Sequence, residues 1–281
     1  MSLDFLQFAS DTADSQDYTF SSQNFGDAAA DRYIICGITL KNHYSGKVID
    51  SVTIGGVAAT ILQNRNSLQI CALAIALVPT GTSGDVFVGT DSGYNDRGAI
   101  ALWRATSLKS ATPEDKGESD ANAPTYNIDV SAGGFVIAVG LTGSSPTATW
   151  TNVTEKYDQV IENTCMTGGS DEFATAQTNL PITVTFTSVT DSAGIFASWG
   201  MTSIIELSAS DIVNFSDIPF SSHLYKAISD GMVFSDSASL VKVFEMAAAD
   251  GISMSDAASF IKAVRYPRHL KSKYILIRDK V

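Results

Sequence analysis

The chain has 281 residues, of which 44% are hydrophobic and 17% charged, with a formal net charge of −12. The hydrophobic share excludes a mainly disordered chain, and the length allows one large domain or one plus an appendage. The charge is uneven: residues 1–207 carry −13, residues 208–264 carry −4 and residues 265–281 carry +5. An acidic body repels phosphate backbones, so the main domain is not expected to bind nucleic acid.

In chain order, the start MSLDFLQFAS has an early Asp4 and no basic region ahead of an apolar run, so it does not read as a secretory signal. Strands are then expected at 18–21, 32–40, 48–54 and, after the Gly55-Gly56 turn, 57–62. Residues 68–78 alternate with apolar side chains on both faces, which predicts a central strand covered on both sides. The apolar run 70–78 is nine residues long, far short of the ~20 of a membrane helix, so no membrane span is expected. A Pro/Gly/Thr cluster at 79–84 turns the chain into a strand at 85–90. Residues 91–98 read as a loop and 99–105 as a strand.

Residues 109–124 are hydrophilic, hold two prolines and read as a surface loop. Strands of the same texture resume at 126–130, 135–141, 147–151, 155–160, 173–177, 183–188 and 194–207. A dozen short strands at this spacing, with no sustained helical period, predict an all-β fold: an antiparallel β-sandwich of jelly-roll or lectin-like kind spanning 1–207.

The texture changes at 208. Asp211-Ile-Val-Asn-Phe215-Ser-Asp217, Asp230-Gly-Met-Val-Phe234-Ser-Asp236 and Asp250-Gly-Ile-Ser-Met254-Ser-Asp256 repeat at offsets of 19 and 20. Such a period marks stacked supersecondary units. Ser235-Asp236 could cap a short helix, whereas Val241 and Val243 alternate as in a strand, so both remain open for 208–264. Residues 265–281 form a basic end, with Arg265, Arg268, Lys271, Lys273, Arg278 and Lys280. It reads as a solvated tail or as an electrostatic anchor on an acidic partner surface.

No catalytic, cofactor-binding or metal-ligating set stands out. His43, His223 and His269 lie far apart, and the three cysteines form no CxxC motif. Cys36 and Cys71 lie in apolar runs and read as buried, while Cys165 in a polar context reads as exposed. The glycine pairs 55–56, 133–134 and 168–169 lack a phosphate-loop pattern and read as turns. Asp91, Ser92, Asn95 and Asp96 offer oxygen atoms to a calcium ion, but turn-forming residues explain the same letters. Tyr94, Trp150 and Tyr157 are the exposed aromatics that a glycan-binding shelf would use, whereas Trp103 and Trp199 read as core.

Four segments carry a resemblance: Tyr18-Thr-Phe-Ser-Ser-Gln, Ser51-Val-Thr-Ile-Gly-Gly-Val-Ala-Ala-Thr60, Val78-Pro-Thr-Gly-Thr-Ser-Gly-Asp-Val86 and Trp150-Thr-Asn-Val-Thr-Glu-Lys-Tyr157. With the Asp-Gly-x-x-x-Ser-Asp-x-Ala-Ser repeats, the chain resembles structural proteins of tailed-bacteriophage virions. The resemblance is one of texture and transfers no catalytic residue. It implies a non-enzymatic virion component, a decoration, fibre or tail/neck protein, whose partners are other virion proteins and further copies of itself, a trimer by analogy. Host surface glycan is the alternative partner, and a glycan hydrolase is the third reading. No cofactor is implied.

Overall fold

The computed structural model describes residues 2–202 apart from 43–46, 65–68, 92, 94 and 145, together with the backbone of four short strands beyond 202. The chain divides into two units, Met1–Met201 and Thr202–Val281. The described residues are all-β and contain no helix.

The first unit opens with β1 (Ser2–Asp11), β2 (Tyr18–Asn24), β3 (Tyr33–Asn42), β4 (Ile49–Ile54), β5 (Val57–Ala58), β6 (Thr60–Asn64), β7 (Gln69–Leu77), β8 (Ser83–Thr90) and β9 (Asn95–Thr106). It continues with β10 (Asp115–Ser119), β11 (Thr125–Val130), β12 (Gly134–Thr142), β13 (Ala148–Thr151), β14 (Thr154–Ile161), β15 (Thr164–Phe173), β16 (Gln177–Phe186) and β17 (Ser192–Trp199).

These strands build two jelly rolls. In the first, one sheet runs β1-β9-β3-β7-β6 and the other β2-β8-β4-β5. Pairing is nested, first strand with last: β1 with β9, β2 with β8, β3 with β7 and β4 with β5. In the second, the sheets run β10-β17-β12-β15-β14 and β11-β16-β13, and the nesting repeats as β10 with β17, β11 with β16 and β12 with β15. Replacing β1, β9, β3, β7 and β6 by β10, β17, β12, β15 and β14 reproduces the first inner sheet strand for strand. The unit is thus an internal duplication, two sandwiches where the sequence predicts one.

Four sheets stack in layers around three cores. Tyr18, Ile34, Ile38 and Val88 belong to the core between the two sheets of the first half. Ile128, Trp150, Val184 and Phe196 do the same in the second. A third core joins the two five-stranded sheets face to face, with Ile35, Leu73 and Trp103 from one and Phe135, Val139, Ile195 and Trp199 from the other. Strands β3, β7, β12 and β17 are therefore buried on both faces, which is why their apolar residues run continuously instead of alternating. β3 packs on β12 at the centre, β1 on β14 at one side and β10 on β6 at the other. Since β1 corresponds to β10 and β14 to β6, the halves are related by a pseudo-twofold axis near β3 and β12.

Close packing at this middle layer depends on one glycine. A Cβ on Gly37 of β3 would stand 2.5 Å from Cγ1 of Val139 and 3.0 Å from Cζ3 of Trp103. Trp103 also donates its indole Nε1–H to Ser170 Oγ of the other half at 3.0 Å, so its one polar atom is satisfied inside the core. At the rims, Arg97 donates to the carbonyls of Ile161 and Glu162 and pairs with the Glu162 carboxylate at 3.2 Å.

Two expectations are corrected. The surface loop 109–124 contains β10. Gly168 and Gly169 lie inside β15 rather than in a turn. A Cβ at Gly168 would meet the Tyr157 ring at 2.5 Å, and one at Gly169 would meet Val153 at 2.8 Å, so the glycines make room for side chains laid across the strand. Gly55 and Gly56, by contrast, are the turn expected, at φ +59° and +79° between β4 and β5.

Beyond 202, the described strands are β18 (Val233–Phe234), β19 (Val243–Glu245), β20 (Ser253–Met254) and β21 (Ala263–Arg265). β18 pairs with β20 and β19 with β21, both parallel. Val233 lies opposite Ser253 and Val243 opposite Ala263, so pairing follows the 20-residue offset of the sequence repeat. Of the two open readings, strand holds at 243–245. The expected boundary at 207 lies outside the described residues.

Candidate functional site

The residues singled out in the sequence do not converge. Trp150 keeps 9% of its surface and Tyr157 keeps 7%. Trp150 points inward from β13 and donates its Nε1–H to Thr167 Oγ1 at 2.9 Å. Tyr157 lies against Phe5 and Phe8, with ring centroids 6.0 and 4.9 Å apart, under the middle layer. Their period-two placement on β13 and β14 turns both toward a core, so neither presents a face to a glycan, a correction to the shelf expected from sequence. Tyr94 lies outside the described residues. So do Arg268, Lys271, Lys273, Arg278 and Lys280, while the backbone of Arg265 ends β21 opposite Glu245.

The loop at 91–96 is committed to the fold. Asp91 Oδ1 accepts the Val48 amide at 3.2 Å. Asn95 is buried; its side-chain amide nitrogen donates to the carbonyls of Ser15 and Gln16, and its main-chain carbonyl accepts the Tyr18 hydroxyl at 3.1 Å. A Cβ on Gly93 would stand 3.0 Å from Lys47 Nζ, which places a side-chain ammonium over this loop. Lys47 is 4% exposed; burial pushes its pKa down while Asp91 and Asp96 pull it back up. Two of the chain's own ammonium groups thus lie at this loop, Lys47 over Gly93 and Lys41 with its Nζ 4.0 Å from Asp96 Oδ2.

The cysteines follow the same pattern. Cys36 and Cys71 are buried, as expected. Cys165 is buried too, contrary to its polar sequence context, because it sits on β15 opposite Val160 and donates its thiol to Asp158 Oδ1 at 3.1 Å. Burial and that carboxylate both push its pKa up, the opposite of an activated nucleophile. No cluster of three or more metal-ligating side chains occurs among the described residues.

Two surfaces stand out instead. The outer face of the β11-β16-β13 sheet is paved with threonine: Thr125, Thr183 and Thr151 form one row, Thr185 and Thr149 the next. Thr125 and Thr183 share a hydroxyl–hydroxyl hydrogen bond at 2.9 Å. The other surface is the edge strand β1, half-buried along most of its ten residues. Sequence reasoning missed it because its apolar residues, Leu3, Phe5, Leu6 and Phe8, follow no single period: Leu3, Phe5 and Phe8 pack on the middle core and Leu6 on the first-half core. The register shift between Phe5 and Gln7 makes that switch of faces.

No family model matches the chain, and no curated protein matches it. Among solved structures, the PBSX exported protein XepA is similar at 10% identity and a TM-score of 0.20, covering 70% of this chain and 86% of that one. At that TM-score the likeness bears on neither the fold nor the role of this chain.

Proposed function

We propose that the chain is a non-enzymatic structural component of a bacteriophage particle, a decoration, fibre or tail/neck protein attached through its C-terminal region. The observation that carries this reading is the parallel, in-register pairing of two repeats at an offset of 20 residues, in a chain that also holds a double jelly roll built around three apolar cores. Repeats that stack in this way bury apolar surface only against one another or a neighbour, which suits an element used for assembly. Charge supports the same division of labour: residues 1–207 carry −13 and residues 265–281 carry +5. The basic residues Arg265, Arg268, Lys271, Lys273, Arg278 and Lys280 would then meet acidic surface on another virion protein or on a further copy of this chain.

Immunogold electron microscopy of intact particles, with antibody to residues 1–201, tests the placement. Label on heads, neck or tail supports it, and particles without label despite expression overturn it. Deleting 265–281 is expected to reduce incorporation at least tenfold while the double jelly roll stays folded. Undiminished incorporation would remove the attachment role.

A further inference from the structure

The duplication supplies an internal control for the free edges of the sheets. β1 and β10 occupy equivalent edge positions in the two inner sheets. β10 is blunted in the usual way for an edge: it is five residues long and three of them, Asp115, Lys116 and Glu118, are charged. β1 is twice as long, carries four large apolar residues, and has only Asp4 and Asp11 as charges. One outward amide, that of Leu3, is taken by the Glu172 carboxylate at 2.8 Å.

We propose that β1 is a self-association edge, pairing antiparallel with β1 of a second copy so that two inner sheets become one ten-stranded sheet. The sequence of the strand fits its own reverse. With the twofold axis between Leu6 and Gln7, Ser2 lies opposite Asp11, Leu3 opposite Ser10, Asp4 opposite Ala9 and Phe5 opposite Phe8. No acid meets an acid, and the pairs flanking the axis join aromatic to aromatic. The bulge between Phe5 and Gln7 falls on the axis, so the regular segments on either side pair only with each other. A heterologous partner would have no reason to match this self-complementary pattern. The proposal rests on the homo-oligomer part of the functional reading and specifies its surface; a twofold edge gives a dimer, not the trimer expected by analogy.

The test is light scattering after size exclusion on the full chain, over a range of concentrations, with two variants of one half-buried edge residue. Ser2→Lys places an ammonium opposite Asp11 twice per dimer and is expected to tighten association by roughly two- to thirty-fold, while Ser2→Asp weakens it by a similar factor. The wild-type mass is expected at twice 29.8 kDa. A concentration-independent monomer overturns both the edge and the homo-oligomer. A trimer, or a dimer on which the two variants act alike, overturns the edge alone. Unchanged thermal unfolding of the two variants at a concentration where each is monomeric confirms that the fold is intact.

Discussion

Replacing Gly37 by alanine probes the face-to-face packing of the two halves. The new methyl would lie 2.5 Å from Val139 Cγ1, about 1.5 Å inside van der Waals contact, and 3.0 Å from the Trp103 ring. Both neighbours are fully buried, so neither can swing into solvent. Overpacking of this kind costs about 1–3 kcal/mol, and the stiffer unfolded chain returns about 0.4–1 kcal/mol, leaving a loss of about 1–2 kcal/mol. Val139→Ala removes two methyl groups from the same spot and costs about 2 kcal/mol with the cavity it leaves. The double variant places the alanine methyl in the space vacated by Val139 Cγ1. It should be more stable than the two separate losses imply, by about 1–2 kcal/mol. Equilibrium unfolding in guanidinium, followed by tryptophan fluorescence, measures all four corners of the cycle. Additivity to within about 0.5 kcal/mol would refute the claim that these two residues meet across the middle layer.

Two further outcomes follow from buried polar groups. Arg32 is fully buried, and its guanidinium donates to five backbone carbonyls, those of Phe25, Gly26, Val78, Thr80 and Gly81. Arg32→Met strands the buried carbonyls of Phe25 and Val78 and should cost about 3 kcal/mol, with Arg32→Lys near half of that; a melting temperature within 2 °C of wild type for the methionine variant would count against it. Tyr18 and Tyr157 are held well above the usual tyrosine range, chiefly by burial. A raised folded pKa gives stability that is complete below the unfolded value of 10.0 and is lost as the pH climbs past it, so the protein should destabilise progressively above pH ~10. In absorbance at 295 nm these two phenols should ionise only on unfolding; full, immediate ionisation of all nine tyrosines by a still-folded protein would contradict their burial.

The strands of the middle layer were the most legible part of the sequence, because continuous apolar runs such as 70–76 leave few alternatives to a strand covered on both faces. The duplication was not legible. Equivalent inner positions share little: Ile35 partners Trp103 in one half and Phe135 partners Trp199 in the other, so the tryptophan recurs but its partner does not. Pairing order conserves the architecture without conserving most side chains. β15 was hidden for a different reason. Its Gly168-Gly169 pair is the usual mark of a turn, and only the Tyr157 ring and Val153, from β14 and the residue before it, show what the missing side chains admit. The aromatics proposed for a glycan shelf failed because β13 and β14 cover a core, a fact set by sheet stacking and not by local polarity. The alternation of Trp150 with Thr149 and Thr151 already marked one face as apolar, and that signal outweighs the polar neighbourhood.

Joining two jelly rolls in one chain changes what their pairing can respond to. Separate subunits meeting through the same inner faces would part on dilution, whereas tethered halves see each other at an effective concentration on the order of millimolar whatever the copy number. The tether also releases the two halves from identity. A true symmetric dimer must carry every surface feature twice, in opposed directions. Here a long apolar edge on one half and a short charged edge on the other coexist, so the molecule has a direction that its architecture alone would forbid.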